Sequence, residues 1–458
     1  MMKDRSQTIT FSDKIGYLFG DFGNDFTFIL ASTFLLKFYT DVMGISAFIV
    51  GLMMMLSRIT DAFTDVAMGQ ICDRSRPGKR GKFAPWIKRI CGPVALASFL
   101  MYAVWFKDMP MPFKIFWMFF TYFLWGSVTY TAINIPYGSM ASAITAEPRE
   151  RAILSNFRSI GATLANAVIG VVIPLVVYYT DEAGNTVLSG SRMAYAALFC
   201  SIGAVICYLF CYYMTTERVK IKAVTEPFSL SKLIREMANN RALIGIVVSA
   251  LLLLLAQLTI SGMGNYIYPN YFGQKEALSI ANFATTGITL VLAIFTVPLS
   301  ARIGKKELST AGALIGAGAL FAAFFLHTEN VWIWIGLYTL SFLGIAFFNL
   351  LCWAMITDVI DDAEVKSGVR SDATIYAVYS FARKLGQAAA SGLTGGLLTL
   401  IGYRAATAFD QKVVDGIYNI TCLVPAVGFI LLAAALWFLY PLDKKRVEEN
   451  ARILKEKR

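Results

Sequence analysis

Two apolar stretches of this sequence each contain a pair of carboxylates four residues apart. The pairs are Asp21 with Asp25 and Asp61 with Asp65. On a helix this spacing places both groups on one face, about one turn apart. Because a carboxylate in the hydrocarbon core of a bilayer is costly, we expect these groups to face a polar cavity, one another or a basic partner.

Asp61 and Asp65, with Thr64 beside them, form a candidate site for a monovalent cation. Carboxylate and hydroxyl oxygens are hard ligands for a metal cation such as Na⁺. Burial and repulsion between neighbouring carboxylates also favour proton binding, so the residues alone leave both ions open. The alternative is a purely structural role in buried ion pairs with basic residues, namely Arg58, Arg158 or Lys384.

A second polar cluster surrounds a proline inside another apolar stretch. Tyr130, Thr131 and Asn134 precede Pro136, and Gly138 follows it. A proline within a helix removes one backbone hydrogen bond and kinks the helix. The freed carbonyl and the Asn, Tyr and Thr side chains are able to bind a polyhydroxylated ligand or an ion. The alternative is a kink that serves only helix packing.

The elements that carry these residues are predicted to be membrane helices. The chain has 458 residues, of which 57% are hydrophobic and only 16% are charged. Its charges cluster in short segments between apolar stretches of roughly 20 residues, the length that crosses a bilayer. The pattern predicts an all-α polytopic membrane protein with twelve transmembrane helices, and it excludes disorder, fibres and most soluble enzymes.

Basic residues predict the orientation and the division of the chain. Lys and Arg concentrate at both termini and in alternate loops, which places both termini in the cytoplasm. The net charge of +11 is therefore a topology signal and does not indicate a nucleic-acid partner. We predict a six-helix bundle over 1–214, a cytoplasmic loop over 215–241, a second six-helix bundle over 242–441 and a basic tail over 442–458. Two such bundles around a central cavity are typical of secondary transporters.

Other chemistry has little support in the sequence. There is one histidine, His327, and the seven cysteines form no CxxC motif, which argues against a metal centre other than Na⁺ at Asp61 and Asp65. No nucleophile–base or HExxH motif is present, so we expect neither an enzyme nor a cofactor. Lys37, near the end of the first helix, is expected to extend its ammonium group to the membrane surface.

Charged residues at the cytoplasmic ends of the two halves form a candidate gate. Asp73 and Arg74 end the second helix, and Asp358, Asp361 and Arg370 lie in a segment with alternating charges. Ion pairs between such segments would hold the inner side closed while the outer side is open. A solvated face with no such role is the alternative.

Several motifs resemble the glycoside–pentoside–hexuronide:cation symporter family. They cover both halves with every spacing in register, and they are Asp61-x-x-x-Asp65-x-x-x-Gly69-x-x-x-Asp73-Arg74, Arg80-Gly-Lys82-Phe-x-Pro85-Trp86, Asn134-Ile-Pro-Tyr-Gly138 and Asp358-x-x-Asp361 with Gly368-x-Arg370. The resemblance implies a major facilitator fold, alternating access, a small sugar or glycoside as substrate, and H⁺ or Na⁺ as the coupling ion.

The resemblance also assigns cation-site roles residue by residue. Asp61, Asp65 and Thr131 match the family's cation ligands, and Lys384 matches a lysine near them. Thr64 stands where the family has an asparagine. The cation would neutralise the two carboxylates, so that the doubly loaded or empty carrier moves across the membrane and the half-loaded one is penalised.

The implied sugar pocket has two charged residues, Asp25 on the first helix and Arg158 on the fifth. Asn134 replaces an aspartate of the family's best-known member and retains a hydrogen-bonding amide, whereas Gly138 replaces a stacking tryptophan. The complete predicted substrate site is Asn24, Asp25, Tyr130, Asn134, Gly138 and Arg158.

The sequence therefore predicts a multi-pass sugar symporter of the plasma (inner) membrane. Its expected partners are a small sugar, a monovalent cation and membrane lipid. Two alternatives remain at this stage. One is a Na⁺-coupled lysolipid transporter of related fold, which would need a wide apolar cavity, and the other is a sugar sensor of the same fold that transports nothing.

Overall fold

A computed structural model describes residues 8–75, 77–78, 80–219, 240–367 and 372–457. The chain divides into two compact units, Met1–Pro227 and Phe228–Arg458. Each unit is built from long helices, because apolar stretches of this length satisfy their backbone hydrogen bonds internally when they cross a membrane.

The first unit contains six long helices. Helix α4 covers residues 111–144 and has three parts, which are Met111–Phe123, a π-helical segment Leu124–Tyr130 and Thr131–Ile144. Helix α5 covers 148–177 and likewise contains a π-helical segment, Val168–Val172. The other four are α1 (Phe11–Asp41), α2 (Ala47–Arg74), α3 (Ala84–Leu100) and α6 (Gly190–Met214).

A short β-hairpin joins α5 to α6, and it was not part of the all-helical prediction. Strands β1 (Tyr178–Thr180) and β2 (Thr186–Leu188) pair antiparallel, with Tyr178 opposite Leu188. Gly184 lies in the connecting turn with a φ of 84°, a conformation that glycine adopts without strain.

The described part of the second unit contains six further long helices and one short helix. Helices α7 (Arg241–Tyr271) and α12 (Gln411–Leu439) end in π-helical segments. Between them lie α8 (Lys275–Ile303), α9 (Lys305–Leu326), α10 (Val331–Ser367) and α11 (Asp372–Leu400). The predicted basic tail contains the short helix α13 (Lys444–Lys457).

Within the described ranges, nine helices have the length and the apolar composition needed to cross a membrane. The three long helices outside that set are α1, α4 and α11. These three carry most of the predicted site residues, including Asp25, Asn134 and Lys384.

Close helix packing in the first unit places α1 against α5 and α6. A Cβ atom at Gly23 would lie 2.7 Å from Cβ of Cys207, and one at Gly161 would overlap the carbonyl oxygen of Leu18. Glycine at these two positions therefore allows the backbones to approach. This contact brings the carboxylates of α1 within reach of Arg158 on α5.

Lys37 does not extend to the surface, and that expectation is wrong. Its side chain is only 2% exposed, and its Nζ lies 2.9 Å from Oδ2 of Asp41. The carboxylate one helical turn away provides a partner inside the protein, so the ammonium group has no need to reach the membrane surface.

Candidate functional site

Hydroxyl groups of α4 bind two carboxylates of α2, Asp61 and Asp65. The Ser127 hydroxyl donates to Oδ1 of Asp61 at 2.6 Å, and the Thr131 hydroxyl donates to Oδ1 of Asp65 at 2.9 Å. The two donors are four residues apart, as are the two acceptors. The helices are therefore held side by side by two equivalent hydrogen bonds, one turn apart.

The π-helical segment Leu124–Tyr130 lies at this contact. Its wider turn leaves Thr131 able to donate also to the carbonyl of Gly126, at 3.2 Å. A Cβ atom at Gly126 would make only ordinary van der Waals contact, 3.5 Å from both Oδ1 of Asp61 and the Ser57 hydroxyl, so Gly126 lies directly beside the Asp61 carboxylate. Such π-helical turns are frequent at functional sites.

Arg58 provides a positive charge beside the buried carboxylate of Asp61. Its Nη1 lies 3.5 Å from Oδ2 of Asp61, and its guanidinium lies over the Phe28 ring with 4.7 Å to the centroid. This is one of the ion pairs that the structural alternative required. Asp61 thus has a basic partner and a hydroxyl donor at once.

Thr64 completes the group of four residues predicted to bind the cation in this unit. Its hydroxyl lies 3.5 Å from the Thr131 hydroxyl and donates to the Asp61 carbonyl at 3.3 Å. The structure therefore brings Asp61, Thr64, Asp65 and Thr131 together. Across the described residues, His, Cys, Asp and Glu form no group of three or more that could hold a metal ion, so any Na⁺ here would rely on hydroxyl and carbonyl oxygens as well.

Asn24 connects three helices in a second polar cluster. Its Nδ2 donates to the Tyr130 hydroxyl at 2.8 Å and approaches Oδ1 of Asn134 at 3.4 Å. The Tyr208 hydroxyl of α6 donates to Oδ1 of Asn24 at 3.0 Å. Tyr208 was absent from the predicted site, because nothing in the local sequence of α6 marks it as polar-facing.

Arg158 pairs with Asp21 rather than with Asp25. Its Nε donates to Oδ1 of Asp21 at 2.9 Å. Asp25, one turn further along α1, is half-buried and makes no hydrogen bond or ion pair with any residue that the structure describes. The carboxylate pair was predicted from the sequence, but only Asp25 was assigned to the site.

The guanidinium of Arg158 also lies over an aromatic pair. Its Cζ is 5.4 Å from the Tyr137 ring centroid, and the Tyr137 ring stacks on Tyr17 at 4.7 Å. Gly138 is exposed, and a Cβ atom there would meet only Nη1 of Arg158, at 4.0 Å. The missing side chain leaves open space beside the guanidinium.

The predicted residues outside these two clusters are placed as follows. Lys384 lies in α11 of the second unit and is partly exposed. Arg74 is exposed in the last turn of α2, next to Asp73, whose side chain is not described. Arg370 lies outside the described residues.

The two predicted gating carboxylates of the second unit lie in α10. Both oxygens of Asp358 accept from Nζ of Lys305, at 2.7 and 2.8 Å, so this carboxylate has a strong partner within its own unit. Asp361, in the same helix, is partly buried.

Solved structures share this arrangement of helices. The chain aligns with a bacterial homologue of the human lysosomal transporter Spinster with a TM-score of 0.68 and 13% identity, covering 95% of this chain and 97% of that one. It aligns with a D-xylose–proton symporter with a TM-score of 0.63 and 13% identity, covering 94% and 98%. The fold is therefore that of the major facilitator transporters, and the predicted fold class is confirmed.

The sequence comparisons identify the family. The family model described as "MFS/sugar transport protein" matches residues 16–444. Similar proteins include the uncharacterized symporter YjmB of Bacillus subtilis (32% identity, 99% of this chain and 96% of the relative) and a glucuronide carrier protein homologue of Escherichia coli (30%, 97% and 95%). An isoprimeverose transporter of Lactiplantibacillus pentosus is 30% identical over 97% of this chain and 93% of the relative.

The chain belongs to the MFS/sugar transport protein family. The sequence resemblance to cation symporters for glycosides, pentosides and hexuronides is confirmed at this level. The protein is an integral multi-pass membrane transporter and is not an enzyme.

Proposed function

We propose that the protein is a sugar or glycoside symporter that couples uptake to H⁺ or Na⁺ by alternating access. The observation that carries this proposal is that α4 contributes adjacent residues to both polar clusters. Thr131 binds Asp65, and these two residues with Asp61 and Thr64 form the cation cluster. Tyr130 binds Asn24, and these two residues with Asn134 and Tyr208 form the sugar cluster. One helix therefore joins a charged oxygen site to a site of neutral hydrogen-bonding groups.

A continuous set of contacts also links the clusters. Asp61 pairs with Arg58, Arg58 lies over Phe28, and Phe28 stacks on Tyr130 with 5.6 Å between ring centroids. Tyr130 accepts from Asn24. A change in the charge of Asp61 would shift Arg58 and, through the aromatic contacts, the amide that faces the sugar.

In the proposed mechanism the cation binds at Asp61 and Asp65 with the hydroxyls of Thr64 and Thr131. Neutralisation of the carboxylates organises Asp25, Asn134 and Arg158 for sugar hydroxyls. The half-loaded carrier is penalised, because it would expose an uncompensated charge as the two units move. Coupling is reciprocal, so the cation raises sugar affinity by the same factor as sugar raises cation affinity.

The proposed setting is the plasma (inner) membrane, with both termini in the cytoplasm. Lys384 would contribute positive charge near the cation, and Asp73, Arg74, Asp358, Asp361 and Arg370 would form the cytoplasmic gate. Relatives described as a glucuronide carrier homologue and an isoprimeverose transporter support a small sugar as substrate.

The test is uptake into proteoliposomes that contain the purified chain. A panel of labelled α- and β-glycosides, pentosides and hexuronides is offered under an inward Na⁺ gradient or an inward H⁺ gradient, in separate runs. Accumulation of at least one sugar under one gradient, abolished when the gradient is collapsed, supports the proposal.

Sugar that only equilibrates under both gradients would contradict cation coupling. Binding of sugar in detergent without any uptake would favour a sensor. Failure of every sugar both to bind and to enter, combined with Na⁺-driven uptake of a lysolipid, would replace the proposal with the lipid carrier.

A further inference from the structure

The guanidinium of Arg158 is bonded through Nε, while the side chain as a whole is partly exposed. Its Nε bonds Oδ1 of Asp21, whose side chain is 7% exposed, whereas the Arg158 side chain is 40% exposed. Asp21 is thus the buried partner of this ion pair, and Arg158 is the partly exposed one.

This ion pair leaves most of the guanidinium donors available. The bond from Nε uses one of five N–H groups, and the terminal edge carries the other four. One face of the guanidinium is covered by Tyr137, beside which the Tyr17 hydroxyl also approaches Arg158. Nη1 faces the open space at Gly138. A planar guanidinium fixed in this way is able to bind two adjacent oxygen atoms with parallel hydrogen bonds.

Asp21 and Asp25 of α1 therefore differ in their contacts. Asp21 is paired, whereas Asp25 has no hydrogen-bonding or ionic partner among the described residues. Both carboxylates interact electrostatically with Arg158. If Asp21 were neutral, Asp25 would be the remaining carboxylate with which Arg158 could pair.

We propose that Asp21 is a positioning residue for sugar binding with two effects. It orients the terminal edge of Arg158 towards two adjacent sugar oxygens, which belong to a vicinal diol or a carboxylate. It also keeps Arg158 away from Asp25, so that Asp25 remains an acceptor for sugar hydroxyls. This inference rests on the proposed function of the same site.

The experiment measures sugar binding to the purified full-length chain by calorimetry, with the tightest-binding sugar of the uptake panel. Asp21→Asn is expected to raise the Kd about tenfold or more, because it removes one charge-assisted hydrogen bond and frees Arg158 to pair with Asp25. Asp21→Glu should recover most of the loss. The maximal transport rate at saturating sugar should change less than KM. A general loss of folding would not produce this pattern.

A double-mutant cycle separates positioning from a direct role. In an Arg158→Lys background, Asp21→Asn should add little further loss, since a lysine has no Nε–H fork to orient. Asp41→Asn is the matched control, because it breaks another ion pair of α1 far from Arg158 in sequence. That control should leave the Kd within about twofold of the unsubstituted chain.

Two results would overturn the inference while leaving the proposed function intact. One is an unchanged Kd for Asp21→Asn, and the other is an equal loss with and without Arg158. The panel of sugars shows which chemical group supplies the two oxygens that Arg158 binds. A loss confined to hexuronides assigns the terminal edge to a carboxylate, and a loss shared by neutral glycosides assigns it to a diol. An unsubstituted chain that binds no sugar would overturn the proposed function and, with it, this inference.

Discussion

Tyr130 and Thr131 are consecutive residues of α4, yet they bond to different helices. Thr131 donates to Asp65 of α2, and Tyr130 accepts from Asn24 of α1. Consecutive side chains of a helix point in directions about 100° apart, so these two residues, at the end of the π-helical segment, reach separate neighbours. A displacement of this turn of α4 would therefore move residues of the cation cluster and of the sugar cluster together.

Substitution of Asp65 by asparagine is expected to abolish accumulation of sugar against its gradient. The amide has the same shape and removes the charge that the cation would neutralise, so sugar binding and downhill exchange should persist in part. Gradient-driven uptake and equilibrium exchange are measured in the same vesicles. Asp108→Asn, at an exposed position, is the control. Full accumulation by Asp65→Asn would remove this carboxylate from the coupling mechanism.

Ser127→Ala tests a residue that the sequence analysis missed. Its hydroxyl donates to a carboxylate oxygen of buried Asp61, and leaving a buried acceptor unsatisfied costs about 1–3 kcal/mol. We expect the cation concentration for half-maximal uptake to change about three- to tenfold, a range that reflects partial compensation by Arg58. The concentration should rise, because the Asp61 carboxylate loses the hydroxyl that holds it in place.

Ser57→Ala is the matched control for that substitution. The Ser57 hydroxyl lies 3.4 Å from that of Ser127 and does not bond Asp61. It should therefore leave the cation dependence near that of the unsubstituted chain. Equal effects of the two alanines would show that Ser127 acts through packing and not through its hydrogen bond to Asp61.

The sequence predicted the long helices well, because stretches of roughly 20 apolar residues have few stable alternatives in a membrane. Its helical periodicity also identified the paired carboxylates, since Asp61 and Asp65 must share a face wherever the helix lies. The β-hairpin over 178–188 and the π-helical turn of α4 were not predictable in this way. Both depend on local strain and tertiary contacts that leave no periodic signal.

The partners of the site residues required the tertiary structure. Asn24 meets Tyr208, which is 184 residues away in the chain, and Arg158 meets Asp21 across 137 residues. Sequence spacing fixes which residues share a face of one helix. It does not fix which face of a distant helix they meet, so Tyr208 and the pairing of Asp21 with Arg158 were overlooked, while Asp25 was assigned from the family resemblance.

Tyr208→Phe should weaken sugar binding while leaving cation dependence unchanged. The substitution removes the hydrogen bond to Asn24 and keeps the ring, so the amide loses one of its fixed contacts. We expect KM for sugar to rise about three- to tenfold, in line with the loss of one hydrogen bond. Tyr195→Phe, an exposed tyrosine of the same helix, is the control. A change in cation dependence with unaltered KM would contradict the assignment of Asn24 to the sugar cluster.

The ion pair between Lys305 and Asp358 leads to a prediction about stability. Asp358 is buried and accepts both of its bonds from Lys305, so removal of Lys305 leaves an uncompensated charge at low exposure. Removal of Asp358 leaves Lys305, whose side chain is 30% exposed, without this partner. Breaking such a buried pair from one side costs about 3–5 kcal/mol, whereas replacing both partners is often close to neutral. We therefore expect Lys305→Met and Asp358→Asn each to lower the Tm in detergent, and the double variant to recover much of the loss. Additive losses would show that the two residues act independently, and a recovered Tm with lost transport would separate the gating role of Asp358 from its role in stability.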